Sequence, residues 1–172
     1  MSRRLYRDRS GSAAVEMALL TPMLMILLFG SIELGNYFWN EHVLAKGVRD
    51  AAVYASRLPI DNYICPGDAL KDEAGLEAQL KQVISTGEVT GGDVRLPRID
   101  DLAVTVASLC HQDVGPSSGK TTLTGIYSLN NGQVPVLTIT ASVPYRSLLG
   151  TLGLGNPDLS LNATQETAVV GA

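Results

Sequence analysis

The first long pattern in the chain is an apolar run that holds one charged residue. Between Ser12 and Ile32 the only ionisable side chain is Glu16. This length suffices for one helix across a hydrocarbon layer of ~30 Å. The residues after the apolar core, Gly30-Ser31-Ile32, lack the small-x-small site at which secretory signals are cleaved. We therefore expect the segment to remain in the membrane.

The helical pattern continues beyond the apolar run. Pro59 ends it, because proline removes a backbone donor and disfavours helix in the residue before it. A helix from Ser12 to Arg57 would be roughly 69 Å long, more than twice the membrane thickness. Its outer half therefore needs something to pack on: the chain's own C-terminal domain can cover one stripe, and neighbouring subunits could cover the rest. The apolar positions recur at helical three- and four-residue steps: Leu34, Tyr37, Phe38, Leu44, Val48, Ala51, Ala52 and Ala55.

After Pro59 the pattern changes to one short helix and several strands. Asp68 or Asp72 can cap a helix that ends near Gly87 and buries Leu76, Leu80, Val83 and Ile84. Strand patterns occupy residues 102–110, 121–128, 134–143 and 159–170, with a hairpin turn at Asn130-Asn131-Gly132. The predicted class is α+β: a long N-terminal transmembrane helix packed on a small antiparallel sheet, with one short extra helix.

Charge predicts the orientation. Four arginines precede the apolar run and only Asp8 opposes them, so the positive-inside rule keeps the N-terminus in the cytoplasm. The expected organisation is a basic leader at 1–11, a helix at 12–57 and an exported, periplasmic α+β domain at 58–172. The net charge of −4 argues against nucleic-acid binding, as does the lack of a basic domain after the leader. The four arginines are Arg3, Arg4, Arg7 and Arg9.

The two cysteines fall on the exported side. In an oxidising compartment Cys65 and Cys110 most simply form one disulfide, and two buried free thiols are the alternative. His42 and His111 do not stand at a zinc spacing, so we expect neither a metal nor another cofactor.

Catalytic and nucleotide-binding patterns are lacking in the sequence. Gly115 to Thr121 resembles a phosphate-binding loop, but three residues separate its glycines where that motif has four. The following residues favour a strand, whereas the motif needs a helix N-terminus. Acids, hydroxyls and histidines are scattered, and we expect no nucleotide binding and no enzymatic activity.

One stretch resembles a known family. The residues are Arg9-Ser10-Gly11-Ser12-Ala13-Ala14-Val15-Glu16-Met17-Ala18-Leu19, then Pro22, Ile32-Glu33-Leu34-Gly35 and Ala45-Lys46-Gly47-Val48-Arg49-Asp50-Ala51-Ala52. In this pattern the chain resembles the TadE-like family of tight-adherence (Flp) pilus assembly proteins, over about a quarter of its length.

The resemblance implies a pilin-like, pseudopilin or minor-pilin subunit in the bacterial inner membrane. A prepilin peptidase would cut between Gly11 and Ser12, which leaves Glu16 as the fifth mature residue, the position pilins use for assembly. The other implied partners are pilin or pseudopilin subunits and the inner-membrane assembly platform. Glu33, near the outer interface, is either a solvated residue or a helix-pairing residue.

A different class of function also fits the pattern. In this alternative the chain is a single-pass binding module, whose exported α+β domain recognises a ligand and whose helix is only a tether. Glu16 distinguishes the two, because an acid inside the membrane costs ~2.5–3.5 kcal/mol at a helix centre and is retained for a function.

Overall fold

The computed structural model describes residues 10–65, 67–95, 101–112, 127, 133–151, 153 and 159–171. The chain divides into two compact units. One, here called the stem unit, consists of Met1–Phe38 and Ser147–Asn156. The other, the sheet unit, consists of Trp39–Arg146 and Pro157–Ala172. Helix α1 (Ser10–Ser56) contributes residues to both.

Helix α1 contains the whole predicted apolar run, and Pro22 lies inside it. Beside this proline, the Thr21 hydroxyl donates a hydrogen bond to the Met17 carbonyl at 2.6 Å. Ser31 makes the same kind of bond to the Leu27 carbonyl at 2.7 Å. Both hydroxyls are thereby satisfied within the helix, as an apolar solvent requires. The predicted long helix is confirmed.

Helix α2 (Glu73–Thr86) has the boundaries that its capping residues predict. Asp72 is the N-cap, and its carboxylate accepts a hydrogen bond from the Gly75 N–H at 2.9 Å. Gly87 follows the last turn at φ 83°, a left-handed conformation that glycine adopts without strain. The predicted apolar face is buried: Leu76, Leu80, Val83 and Ile84.

Three strands form an antiparallel sheet in the order β3-β4-β5. The strands are β3 (Ala103–Gln112), β4 (Gln133–Pro144) and β5 (Ser160–Ala168). At the middle of the sheet Val106 pairs with Ile139, which pairs in turn with Gln165. Alternate residues of β4 are buried, so one face belongs to the core. The α+β class is confirmed, as are the strands expected at 102–110, 134–143 and 159–170.

A short hairpin precedes α2, at a place where the sequence analysis predicted no strand. A 3₁₀ turn at Ile60–Asn62 leads into β1 (Tyr63–Ile64), which pairs with β2 (Ala69–Leu70). Within the connecting loop Asp68 has a φ of 51°, which is uncommon for a residue other than glycine. The hairpin thus holds Cys65 and Asp68 in one tight loop.

The core of the sheet unit includes a stripe of the second half of α1. Gly47 lies in this stripe and is buried. A Cβ atom at position 47 would stand 2.6 Å from the carbonyl oxygen of Ile84 in α2. Glycine therefore permits the close approach of the two helices. The buried apolar residues of the stripe are Leu44, Val48, Ala51, Ala52 and Ala55.

Tyr127 completes the hydrogen bonding of the sheet beside a proline. The Val169 N–H donates to the Pro135 carbonyl at 2.9 Å, but Pro135 has no N–H with which to return the bond. The Tyr127 hydroxyl donates to the Val169 carbonyl instead, at 2.9 Å. Apart from Tyr127, the strand predicted at 121–128, the turn at Asn130-Asn131-Gly132 and the loop from Gly115 to Thr121 lie outside the described residues.

Tyr63 fixes the C-terminal end of α1 and gives the sheet unit a pH dependence. Its buried hydroxyl donates to the Ala55 carbonyl at 2.6 Å. Burial, and secondly the nearby Tyr54, raise the pKa of Tyr63 from 10.0 to about 12. Because the neutral phenol is favoured in the folded state, its contribution is complete below pH 10 and is lost as the pH rises towards 12.

We expect the free energy of unfolding to fall by about 2 kcal/mol between pH 10 and pH 12, from a pKa difference of this size. Chemical denaturation of the full-length protein in detergent across this range measures the slope. Tyr63→Phe is the control: it removes the bond to Ala55 and lowers stability at pH 8, but it should flatten the alkaline slope. An equal slope in both proteins would contradict the assignment to Tyr63.

Candidate functional site

The first part of α1 presents apolar side chains on every side. This helix contains a stretch long and apolar enough, by length and composition, to cross a membrane. None of its residues from Gly11 to Ile32 is buried within the protein. A helix that is apolar all round is suited to lipid or to other apolar helices. The exposed large side chains include Val15, Met17, Leu19, Met23, Leu24, Ile26, Leu27 and Leu28.

Glu16 is the acid on this apolar surface. Its side chain is exposed in the structure, and α1 places it one turn after Ser12, on the same side of the helix. Gly11 and Ser12 lie in the first turns of α1, where a helix frays most easily. Open space surrounds Gly11: a Cβ atom added there would meet nothing within 4 Å. The structure thus places the predicted cleavage residues and the predicted assembly glutamate on one accessible helix end.

Glu33 has partners that sequence reasoning missed. Its carboxylate is half-buried and accepts hydrogen bonds from the Leu148 N–H at 3.1–3.2 Å and the Leu149 N–H at 3.1 Å. These two residues open the short helix α3 (Leu148–Thr151), which belongs to the stem unit together with Glu33. The glutamate therefore acts within the chain as a cap for α3, and its pairing with a neighbouring helix stays a prediction.

Cys65 and Cys110 form the predicted disulfide, with their Cα atoms 5.8 Å apart. The bond joins the β1–β2 loop to the end of β3. A second interaction lies beside it: the Asp68 carboxylate accepts a hydrogen bond from the Cys110 N–H at 2.7 Å. Together they hold the hairpin against the edge of the sheet. The sequence predicted the first contact from cysteine count and gave no signal for the second.

The described residues do not form a metal site. Among them, no three His, Cys, Asp or Glu side chains come together in a group able to hold a metal ion. Cys65 and Cys110 are consumed by the disulfide and cannot serve as thiolate ligands or nucleophiles.

Comparison with known proteins gives a family match that covers the apolar part of α1 and Glu16. Residues 11–53 match the model of a family described as TadE-like protein. The match confirms the resemblance seen in the sequence and indicates involvement in a tight-adherence pilus. This is a structural family of pilus assembly and is not known for enzymatic activity. No curated protein and no solved structure matches the chain.

Proposed function

We propose that the chain is a pseudopilin-like or minor-pilin-like subunit that helps to assemble a tight-adherence pilus used in surface attachment. The observation that supports this most strongly is the position of Glu16, an acid on an exposed apolar helix, just after Gly11-Ser12 and inside the matched range. A membrane tether has no need of such a residue, because the charge weakens insertion.

The assembly chemistry follows from the helix geometry. Cleavage after Gly11 turns the Ser12 nitrogen into an ammonium group at the start of the helix. This ammonium lies one turn from Glu16 of its own chain, or meets Glu16 of a neighbour when two stems pack in parallel. In apolar surroundings the attraction of such a pair is far stronger than in water. The pair therefore favours transfer of the N-terminal helix of one subunit from the lipid to the N-terminal helices of subunits already assembled.

The proposed organisation assigns each segment a compartment. The basic leader at 1–11 faces the cytoplasm, the helix at 12–57 spans the bacterial inner membrane and extends beyond it, and residues 58–172 lie in the periplasm. The Cys65–Cys110 disulfide suits that oxidising compartment. The partners are the prepilin peptidase, other pilin or pseudopilin subunits and the inner-membrane assembly platform.

Mass spectrometry of the mature N-terminus tests the processing step. We expect the protein from a strain with active prepilin peptidase to begin at Ser12, because the peptidase recognises Gly11 ahead of the apolar helix. Gly11→Val should leave the leader attached, while the control Ser10→Ala should be cut normally. A chain that still begins at Met1 or Ser2 in that strain would contradict processing and would favour the tethered binding module.

A further inference from the structure

The contact between Glu33 and α3 leaves the first backbone N–H groups of α3 hydrogen-bonded within the protein. Two backbone N–H groups, of Leu148 and Leu149, point at one carboxylate, and a third, of Gly150, donates to the Ser147 hydroxyl at 2.9 Å. The donors at the start of α3 are thus satisfied by the protein itself. A peptide segment needs such satisfaction before it can enter a medium that lacks water.

Glu33 also stands at a defined depth. A helix from Ser12 to Glu33 is about 32 Å long, close to the ~30 Å of a hydrocarbon layer. The aromatic residues Tyr37, Phe38 and Trp39 follow within the next two turns, and Phe38 and Trp39 are exposed. Aromatic side chains concentrate where lipid meets water. A span that begins at Ser12 would therefore place the Glu33 carboxylate at the boundary between hydrocarbon and headgroups, with α3 held at the same level by its hydrogen bonds.

The residues of α3 have the composition of an interfacial segment. Ser147-Leu148-Leu149-Gly150-Thr151 carries no charge. Leu148 leaves 43 % of its surface exposed although it is adjacent to the apolar helix, and Leu149 is half-buried. Moving such side chains from water into lipid is favourable in proportion to the apolar surface that is buried. The apolar first part of α1 and the residues of α3 belong to the same compact unit.

We propose that Ser147–Thr151 is a second membrane contact, in which Leu148 inserts into the boundary region of the lipid bilayer while Glu33 holds the turn against the outer end of the membrane helix. The connection between β4 and β5 is thereby attached to the membrane at a point far from α1 in sequence. The proposal needs α1 to span the bilayer, and it does not depend on pilus assembly or on cleavage of the leader.

Fluorescence quenching by brominated phosphatidylcholine tests the lipid contact. All variants for this experiment carry Trp39→Phe in the full-length protein, which removes its one natural tryptophan. The fluorescence in phosphatidylcholine vesicles then comes from a single introduced tryptophan. We expect Leu148→Trp to show blue-shifted emission that brominated lipid quenches, approaching Phe29→Trp inside the span. Val53→Trp, exposed and about 30 Å farther along α1 than Glu33, should stay unquenched. Quenching of Leu148→Trp no greater than that of Val53→Trp would overturn the proposal.

Two further results of the same experiment test the lipid contact and the role of Glu33. Blue-shifted emission of Leu148→Trp without quenching would place the residue against protein, as in contact with a second copy, and would overturn the lipid contact. Adding Glu33→Ala should remove most of the quenching, whereas Glu41→Ala, which removes another acid of α1, should leave it unchanged. Unchanged quenching with Glu33→Ala would refute the role of Glu33. Glu16→Ala should not alter the quenching, which separates this result from the proposed assembly function.

Discussion

We expect Glu16→Ala to abolish piliation while the protein still accumulates in the membrane. Removing the carboxylate makes the apolar helix easier to insert, by less than the ~2.5–3.5 kcal/mol that a charge costs at a helix centre, because Glu16 lies near the first end of the apolar run. It also removes the partner of the Ser12 ammonium. The N-terminal helix of a subunit that moves from the bilayer into the pilus then gains no ion pair with the helices around it. Sheared pili, quantified alongside the carbonate-resistant membrane fraction, measure the two effects separately.

Two variants refine this experiment. Glu16→Gln keeps the shape of the side chain and loses only the charge, so it should be as defective as Glu16→Ala. The adjacent Met17→Leu, at another exposed position of the same helix, should give normal pili. Normal piliation in Glu16→Gln would show that the charge is dispensable, and the assembly function proposed for this residue would be withdrawn.

We expect Gly47→Ala to destabilise the sheet unit. The new methyl group would stand 2.6 Å from the Ile84 carbonyl oxygen and 3.2 Å from the Ile84 Cα. Both are backbone atoms, so α1 and α2 must move apart rather than turn a side chain. Overpacking of this kind costs ~1–3 kcal/mol, which exceeds the ~0.5–1 kcal/mol that alanine gains over glycine within a helix. Denaturant unfolding of the full-length protein in detergent measures the difference.

Gly35→Ala is the matched control, because it makes the same replacement in the same helix. A Cβ atom at Gly35 meets no other atom within 4 Å, so the change should leave stability equal or slightly higher. If Gly47→Ala unfolded at the same denaturant concentration as Gly35→Ala, the close approach of the two helices would not be a constraint. A larger replacement, Gly47→Val, should be worse than Gly47→Ala for the same reason.

Much of the fold could be predicted from patterns of residues that are close in sequence. The span and length of α1, the cap of α2 at Asp72 and its end at Gly87 all depend on neighbours within a few residues. Strand alternation likewise predicted the strand that became β4, although only the structure shows which of its faces is buried. The disulfide followed from two cysteines on the side expected to be oxidising, and the structure decides for it against the alternative of two free thiols. Glu16 stood out because a charge within an apolar run is improbable on energetic grounds.

Contacts between distant parts of the chain had no such local signal. Glu33 lies far in sequence from Leu148 and Leu149, and nothing in its neighbourhood distinguishes a solvated glutamate from a cap. Tyr127 matters because Pro135 opposes Val169, a register that exists only once the sheet has formed. Gly47 is one of many glycines until α2 packs against it. Periodicity and composition record how each segment meets solvent, whereas these three residues acquire their roles from the partners that folding brings to them.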